Sequence, residues 1–297
     1  MECTLCPRMC GADRALGKKG YCGADGRLKV ARAALHMWEE PPISGKQGSG
    51  TVFFSHCPLR CVYCQNRDIS SGGDGLEITV ERLCEIFFEL KEKGAHNINL
   101  VSPTQYTNEI VRALQSARKK GLDLPIVYNT SGYERLETLK KLDGLVDIYL
   151  TDFKYMSPSV AKKYSNAEDY PSVASMALGE MMRQKPKCVF DGELMRSGVI
   201  VRHLVLPQNI DDSKDVIDEF DRLCKGRAYL SIMRQYTPQM ECPYSELARP
   251  LVQSEYDEVV NYALMCGIKN IFLQDGESVS ESFIPPFNYE GVLKNGT

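Results

Sequence analysis

The sequence predicts an α/β fold, a parallel sheet curled into a barrel or partial barrel, with a small cysteine-rich module ahead of it. From residue 51 onward, short apolar runs alternate with amphipathic stretches of helical length; this is the pattern of βα units and hence of a parallel sheet. Six or more such units can be counted, enough for a barrel or partial barrel. Polar residues collect just after the apolar runs, where parallel βα folds keep their chemistry. A flat doubly wound sheet is the competing architecture, and neither a GxGxxG nor a P-loop motif supports it.

Residues 1–25 hold Cys3, Cys6, Cys10 and Cys22 among Gly, Lys and Arg, and residues 39–50, rich in Pro and Gly, read as a connector. The predicted strands are Thr51–Ser55, Asn97–Val101, Pro125–Asn129, Asp147–Thr151, Val199–Leu206, Ala228–Met233 and Asn270–Leu273. Helices are predicted between most of them, at Val80–Lys93, Asn108–Lys120, Glu134–Lys141, Ala174–Gln184, Asp212–Lys225 and Ser254–Met265. The first follows Thr79, a capping-type residue, and carries Leu83, Ile86, Phe87 and Leu90 at helical spacing. Asp211, Asp212 and Ser213 open the later helix in the same way. The chain thus divides into a module with its connector (1–48), a barrel (49–275) and a tail (276–297), whose apolar Phe283, Ile284 and Phe287 suit it to cover the barrel mouth.

The 297 residues are 43% hydrophobic and 25% charged, with a formal net charge of −3, an ordinary globular composition. That charge gives no reason to expect nucleic acid or an anionic membrane as the main partner. No apolar stretch approaches the length of a membrane span, and the first residues lack the apolar core of a signal peptide; a cytoplasmic location is expected. In a reducing cytosol the 12 cysteines are not expected to form structural disulfides. Cys84 and Cys266 lie in apolar helical patterns and are expected to be buried small side chains.

Cys57-x3-Cys61-x2-Cys64 follows the first predicted strand. Three thiolates so close can hold three irons of a 4Fe–4S cluster and leave the fourth iron open to a small molecule. A zinc site completed by His56, or buried free thiols, are the alternatives. Structural zinc usually draws two pairs of ligands from separate knuckles, so the spacing favours the cluster. The earlier group, Cys3-x2-Cys6-x3-Cys10-x11-Cys22, has Gly11, Gly20 and Gly23 to ease its turns. It suits a closed zinc site or a complete auxiliary Fe–S cluster, with four reduced thiols as the bland alternative.

Beyond these, the predicted strand ends present Ser102-Pro103-Thr104, Asn129-Thr130-Ser131-Gly132 and Asp152-Phe153-Lys154, and a later strand carries Arg202 and His203. Asp152 and Lys154 project to one side of a strand end, either as a rim salt bridge or as a charged pair for a zwitterionic ligand. Asn129 and Ser131 also suit a turn, and a lone strand histidine such as His203 is more often structural than functional.

CxxxCxxC after a first strand, with Tyr63 just before the last cysteine, resembles the radical S-adenosylmethionine superfamily. The resemblance implies a partial TIM-type (β/α)6 barrel, a 4Fe–4S cluster on Cys57, Cys61 and Cys64, and S-adenosylmethionine on the open iron. It also implies the reaction: one electron splits the cofactor into methionine and a 5′-deoxyadenosyl radical, which abstracts hydrogen from a substrate. CTLCPRMCG, GTVFFSHCPLRCVYCQN, NINLVSPTQY, VRHLVLP, SIMRQYTP and PPFNYEGV are similar to one subgroup, the pyruvate formate-lyase activating enzyme-like proteins of PflX type, over nearly the whole chain.

Carried over by motif, Tyr63, with Asn66 beyond it, is expected near the adenine. NTSGY resembles the DTNG-type strand end of glycyl-radical activating enzymes, so Asn129, Thr130 and Ser131 are expected to face the cofactor. TDFK resembles their DxK motif, which makes Asp152 and Lys154 ligand contacts; Gly198, Ile200, Arg202 and His203 are expected along the nucleoside. The sequence departs from the pattern twice. VSPTQY stands in place of a GGE-type motif that binds the methionine amino group, leaving that task to Ser102, Thr104 and exposed carbonyls. Asn129 stands where activating enzymes often have Asp, a position tied to a bound monovalent cation. The implied partners are a one-electron donor such as flavodoxin or ferredoxin, and a glycyl-radical enzyme as protein substrate. Radical modification of a peptide or small metabolite is the alternative function, and a non-catalytic metal-binding protein the third.

Overall fold

The structure, a computed structural model, describes residues 2–239, 242–274 and 285–294. Its elements in chain order are β1 (Leu28–His36), α1 (Pro41–Ser44), β2 (Ser49–Phe54), α2 (Arg67–Ser70), β3 (Leu76–Ile78), α3 (Val80–Glu92), β4 (Ile98–Val101), α4 (Thr107–Lys119), β5 (Ile126–Thr130), α5 (Leu136–Lys140), β6 (Ile148–Asp152), α6 (Pro158–Ser165), α7 (Tyr170–Gln184), β7 (Val189–Asp191), β8 (Leu194–Leu204), α8 (Ile210–Cys224), β9 (Tyr229–Met233), α9 (Gln253–Met265) and β10 (Ile271–Leu273). The sheet runs β10-β9-β8-β6-β5-β4-β2-β1-β3, with β7 paired to β8 at its side. From β2 to β10 every neighbour along this path is parallel, whereas β1 is antiparallel to both β2 and β3. The predicted partial (β/α)6 barrel is therefore present as an open sheet.

β2, β4 and β5 are buried along their whole length, as parallel strands covered on both faces must be. α3 follows its prediction: the Thr79 side chain accepts from the Arg82 amide, and Leu83, Ile86, Phe87 and Leu90 face the core. α8 starts differently. Asp212 accepts from the amides of Met156 and Ser157 at 3.0 and 2.5 Å, so this residue ties α8 to the end of the Lys154 loop instead of capping its own helix.

β1 is absent from the predicted strands. A register shift between Val30 and Arg32 interrupts its alternation, and such a bulge defeats a period-two reading. Residues assigned to the module and connector are thus built into the sheet. Cys84 is buried as expected; Cys266 is exposed, because it lies just past the end of α9. Of the tail, Phe283 and Ile284 lie outside the described residues. Phe287 stands edge-on to Phe53 at 5.5 Å. Residues 289–290 bond to β1 through Tyr289 N to Ala31 O and Ala33 N to Glu290 O. Buried Arg82 of α3 donates to the carbonyls of Gly291, Val292 and Leu293 at 3.2, 3.0 and 3.2 Å. Among the described residues, no helix is long and apolar enough to cross a membrane.

Candidate functional site

A cavity of about 210 Å³ opens at the C-terminal ends of the parallel strands. The loop after β2 brings Cys57, Cys61, Tyr63, Cys64 and Asn66 to it; β4 brings Ser102, β5 brings Asn129, Thr130 and Ser131, β6 brings Asp152 with Lys154 beyond, and β8 brings Arg202. Residues over 140 positions apart converge because parallel strands in register end at one level: Val101 lies opposite Phe53 and Asn129, and Asp152 opposite Arg202.

The thiol loop is held tightly. His56 and Arg60 adopt positive φ of 72° and 54°, a conformation non-glycine residues keep only where the surroundings impose it. Cys61 Sγ accepts from Ser165 Oγ at 3.0 Å, and Cys64 Sγ from Ser70 Oγ at 3.3 Å. Ser165 in turn bonds the Tyr155 hydroxyl, which bonds the buried Tyr63 hydroxyl at 2.5 Å. Burial pushes the Cys57 thiol up to about 12 and raises Cys64 as well. A thiol so placed keeps its proton at neutral pH unless a metal replaces it. The thiols of Cys57, Cys61 and Cys64 all line the cavity, two of them with hydroxyls aimed at sulfur, and this set fits a 4Fe–4S cluster. His56 does not complete a zinc site, for its ring packs against Gly23 and Gly73 and does not line the cavity.

The four N-terminal cysteines are mutual neighbours. Cys3 donates to Cys10, Cys6 and Cys22 feel each other's charge, and a Cβ on Gly20 would touch the sulfurs of Cys10 and Cys22 at 3.0 and 3.8 Å. Burial raises Cys6 to about 12 and also raises Cys22. For Cys10, burial is outweighed by hydrogen bonds from the Ala12 and Tyr21 backbone, and the thiol falls below its usual value. Four thiols are the donor types a zinc or iron–sulfur site uses. Among the described residues, though, no three His, Cys, Asp or Glu side chains are drawn together as a bound ion would draw them. The module is bonded to the thiol loop: Arg8 donates to the carbonyls of Pro58 at 3.0 Å, Ser165 at 2.9 Å and Asn166. Arg14 donates to Gln105 O, and the Gln105 amide reaches the carbonyls of Ser55, His56 and Ser102 at 2.9, 3.0 and 2.7 Å.

A ladder of charge lines the same cavity. Lys154 Nζ lies 2.7 Å from Asp152 Oδ2, and Arg202 Nε lies 2.9 Å from Asp152 Oδ1. Burial works to raise Asp152, but Arg202 and Lys154 outweigh it and hold the carboxyl below its usual range. The same attraction outweighs desolvation at Lys154 and Arg202 and keeps both cations charged. Glu39, from the connector, reaches Asn129 Nδ2 at 3.4 Å and Arg202 Nη1 at 3.5 Å. Sequence reading passed over it; an acidic pair before two prolines was its only signal. Its neighbour Glu40 is pushed up to about 7 by burial.

Gly198 lies against Cys188 and Ile200 is buried in the core, so neither lines the cavity as expected. Two more expected residues, Thr104 and His203, are not brought to the cavity. Thr104 is buried behind it, 2.6 Å from Glu134 Oε1, the same oxygen that Thr130 reaches at 2.5 Å. Glu134, expected only as a helix start, is buried and pushed up to about 7. His203 is 1% exposed; its ring joins Phe153 O at 2.8 Å to Ser213 Oγ at 2.9 Å, and burial lowers it to about 4. It pins β8 to β6 and α8, as the structural reading has it. Ser131 Oγ and Gln235 Oε1 line the cavity, are buried, and have no partner among the described residues; buried polar atoms of that kind await a polar ligand. Gly132, at φ 79°, lets the β5 end pass close to β6, since a Cβ there would collide with the Asp152 carbonyl.

Residues 51–181 match the family model of the Radical SAM superfamily. The chain is 28% identical over 276 residues to an uncharacterized protein of Methanocaldococcus jannaschii, covering 88% of this chain and 74% of the relative. It is 21% identical over 174 residues to a pyruvate formate-lyase-activating enzyme of Listeria monocytogenes, covering 56% of this chain and 65% of that enzyme. Among solved structures, Streptococcus suis SuiB bound to S-adenosylmethionine superposes with a TM-score of 0.52 at 11% identity, over 74% of this chain. The chain spans 48% of that structure, and the likeness is one of fold.

Proposed function

We propose that this chain, which carries a Radical SAM superfamily domain at residues 51–181, is a radical S-adenosylmethionine enzyme that abstracts hydrogen from a glycyl-radical enzyme. The observation that carries the reading is one cavity lined both by Cys57, Cys61 and Cys64 and by Asp152, Lys154 and Arg202. Thiols that need a metal share it with a charged ladder suited to a zwitterion. The three cysteines would hold three irons of a 4Fe–4S cluster. When bound and reduced by a donor such as flavodoxin or ferredoxin, the cluster supplies the electron that splits S-adenosylmethionine into methionine and a 5′-deoxyadenosyl radical.

The chain's own residues bind and orient the cofactor. Tyr63 and Asn66 sit on the thiol-bearing wall, on the side proposed for the adenine. Ser131 and Gln235 offer unsatisfied polar atoms, and Asp152 with Lys154 offers opposite charges for the amino-acid end. Similarity to an activating enzyme of Listeria monocytogenes, and the NTSGY and TDFK strand ends, favour a protein glycine as hydrogen donor. The VSPTQY strand end and the four-thiol module favour a second reading, a peptide or small-molecule substrate.

Anaerobically reconstituted protein with a strong reductant should form 5′-deoxyadenosine, and the triple change of Cys57, Cys61 and Cys64 to Ala should abolish it. Mixed with its glycyl-radical partner it should give a doublet in electron spin resonance. Deuterium passing instead from a labelled peptide or metabolite into 5′-deoxyadenosine would establish the second reading. For Cys3, Cys6, Cys10 and Cys22 we propose a second metal site, zinc or an auxiliary Fe–S cluster. Metal analysis separates the two: about one zinc with about four irons, or about eight irons with no zinc.

A further inference from the structure

The glycyl-radical activating enzymes that NTSGY and TDFK resemble carry a monovalent cation at the strand end that here holds Asn129. The residues present do not fit such an ion, because the space between the ends of β5 and β6 is filled by a side chain. Arg202 Nη2 donates to Asn129 Oδ1 at 2.7 Å, and Nε and Nη2 approach Asp152 Oδ1 at 2.9 and 2.8 Å. Asp152 Oδ2 is taken by Lys154 Nζ at 2.7 Å. Both oxygens of the carboxylate that a cation would use already face a fixed positive charge.

Asn129 contributes an amide where an ion would want a carboxylate. Its nitrogen faces both Glu39 oxygens at 3.4 Å, which leaves its oxygen to the guanidinium. Asp152 and Glu39 are balanced by Arg202 and Lys154, whose side chains are at most 17% exposed, while burial shifts the third carboxyl near Arg202, Glu40, towards its neutral form. A further cation among these groups would lie within hydrogen-bond range of a guanidinium, in a place where water screens little. Arginine is also charged at any working pH, and its planar fork matches two acceptors at once. The register delivers it without any loop: Arg202 stands directly opposite Asp152 across the β6–β8 pair.

We propose that Arg202 is a tethered cation that takes the place of the monovalent ion, so that this chain's cofactor site works without one. The proposal rests on reading the cavity as an S-adenosylmethionine site, and it makes Arg202 a positioning residue. The test is binding of S-adenosylmethionine to the reconstituted protein in sodium, potassium or tetramethylammonium salt at one ionic strength. The wild-type dissociation constant should change by less than about twofold among the three; a gain of about tenfold or more from sodium or potassium overturns the proposal. Melting without S-adenosylmethionine is the second readout. The wild type should melt alike in all three salts. The double variant N129D/R202A should melt higher, and bind S-adenosylmethionine at least about tenfold tighter, in sodium or potassium than in tetramethylammonium. A folded double variant indifferent to the ion overturns the proposal; should it not fold, R202A takes its place. Failure of the wild type to bind S-adenosylmethionine in every salt would sink the cofactor reading, while the melting comparison would still decide the cation.

Discussion

Glu134 holds the back of the cavity by a single oxygen that accepts from both Thr104 and Thr130. Its carboxyl, ordinarily near 4.5, is pushed up to about 7 by burial. Folding therefore favours the neutral acid; the contribution is whole below the unfolded value and is lost as pH rises through the folded one. Glu134→Gln keeps the acceptor and removes the titration. Relative to wild type, it should gain stability between about pH 5 and pH 8, by up to about 3 kcal/mol, in paired melting curves. Ser165→Ala removes the hydroxyl that reaches Cys61. Because such bonds stabilise charge on sulfur, the cluster's reduction potential should become more negative, as voltammetry would read. Asp152, Lys154 and the three thiols were legible in the sequence because alternation and spacing alone place them. Glu134 was not: nothing in NTSGYE says that the glutamate turns back under its own strand to meet Thr130 and Thr104.

Among the elements, α3 is the most legible, since Thr79 and a row of four apolar residues announce both its start and its buried face. Phe87, fully buried there, should cost about 4 kcal/mol when cut to alanine, read as a fall in the denaturation midpoint. β1 is the least legible, because its bulge breaks the alternation that would have marked it. The N-terminal segment lies between. Its cysteine spacing is plain, but its attachment through Arg8 to one carbonyl on the thiol loop and two at the end of α6 depends on contacts across up to 158 positions. Arg8→Ala should loosen the first 25 residues, at about 2 kcal/mol, and limited proteolysis should then cut there first.

At the scale of the whole molecule, the partial barrel could be read from seven apolar runs, all of which became strands of one parallel sheet. Its openness was expected from the family resemblance and not from any local pattern, because closure depends on whether β10 and β3 meet at the ends of the strand order. Along β8, three residues in succession, Val201, Arg202 and His203, have different duties: Val201 packs in the core, Arg202 faces the cavity, and His203 pins β8 to α8. A strand that slips by one position exchanges its faces. One residue inserted or deleted within β8 would leave its apolar content nearly unchanged, and yet it would present valine or histidine where the guanidinium belongs. At this rim the spacing of the chain matters as much as its chemistry, and insertions in relatives are expected in the loops before β8 rather than within it.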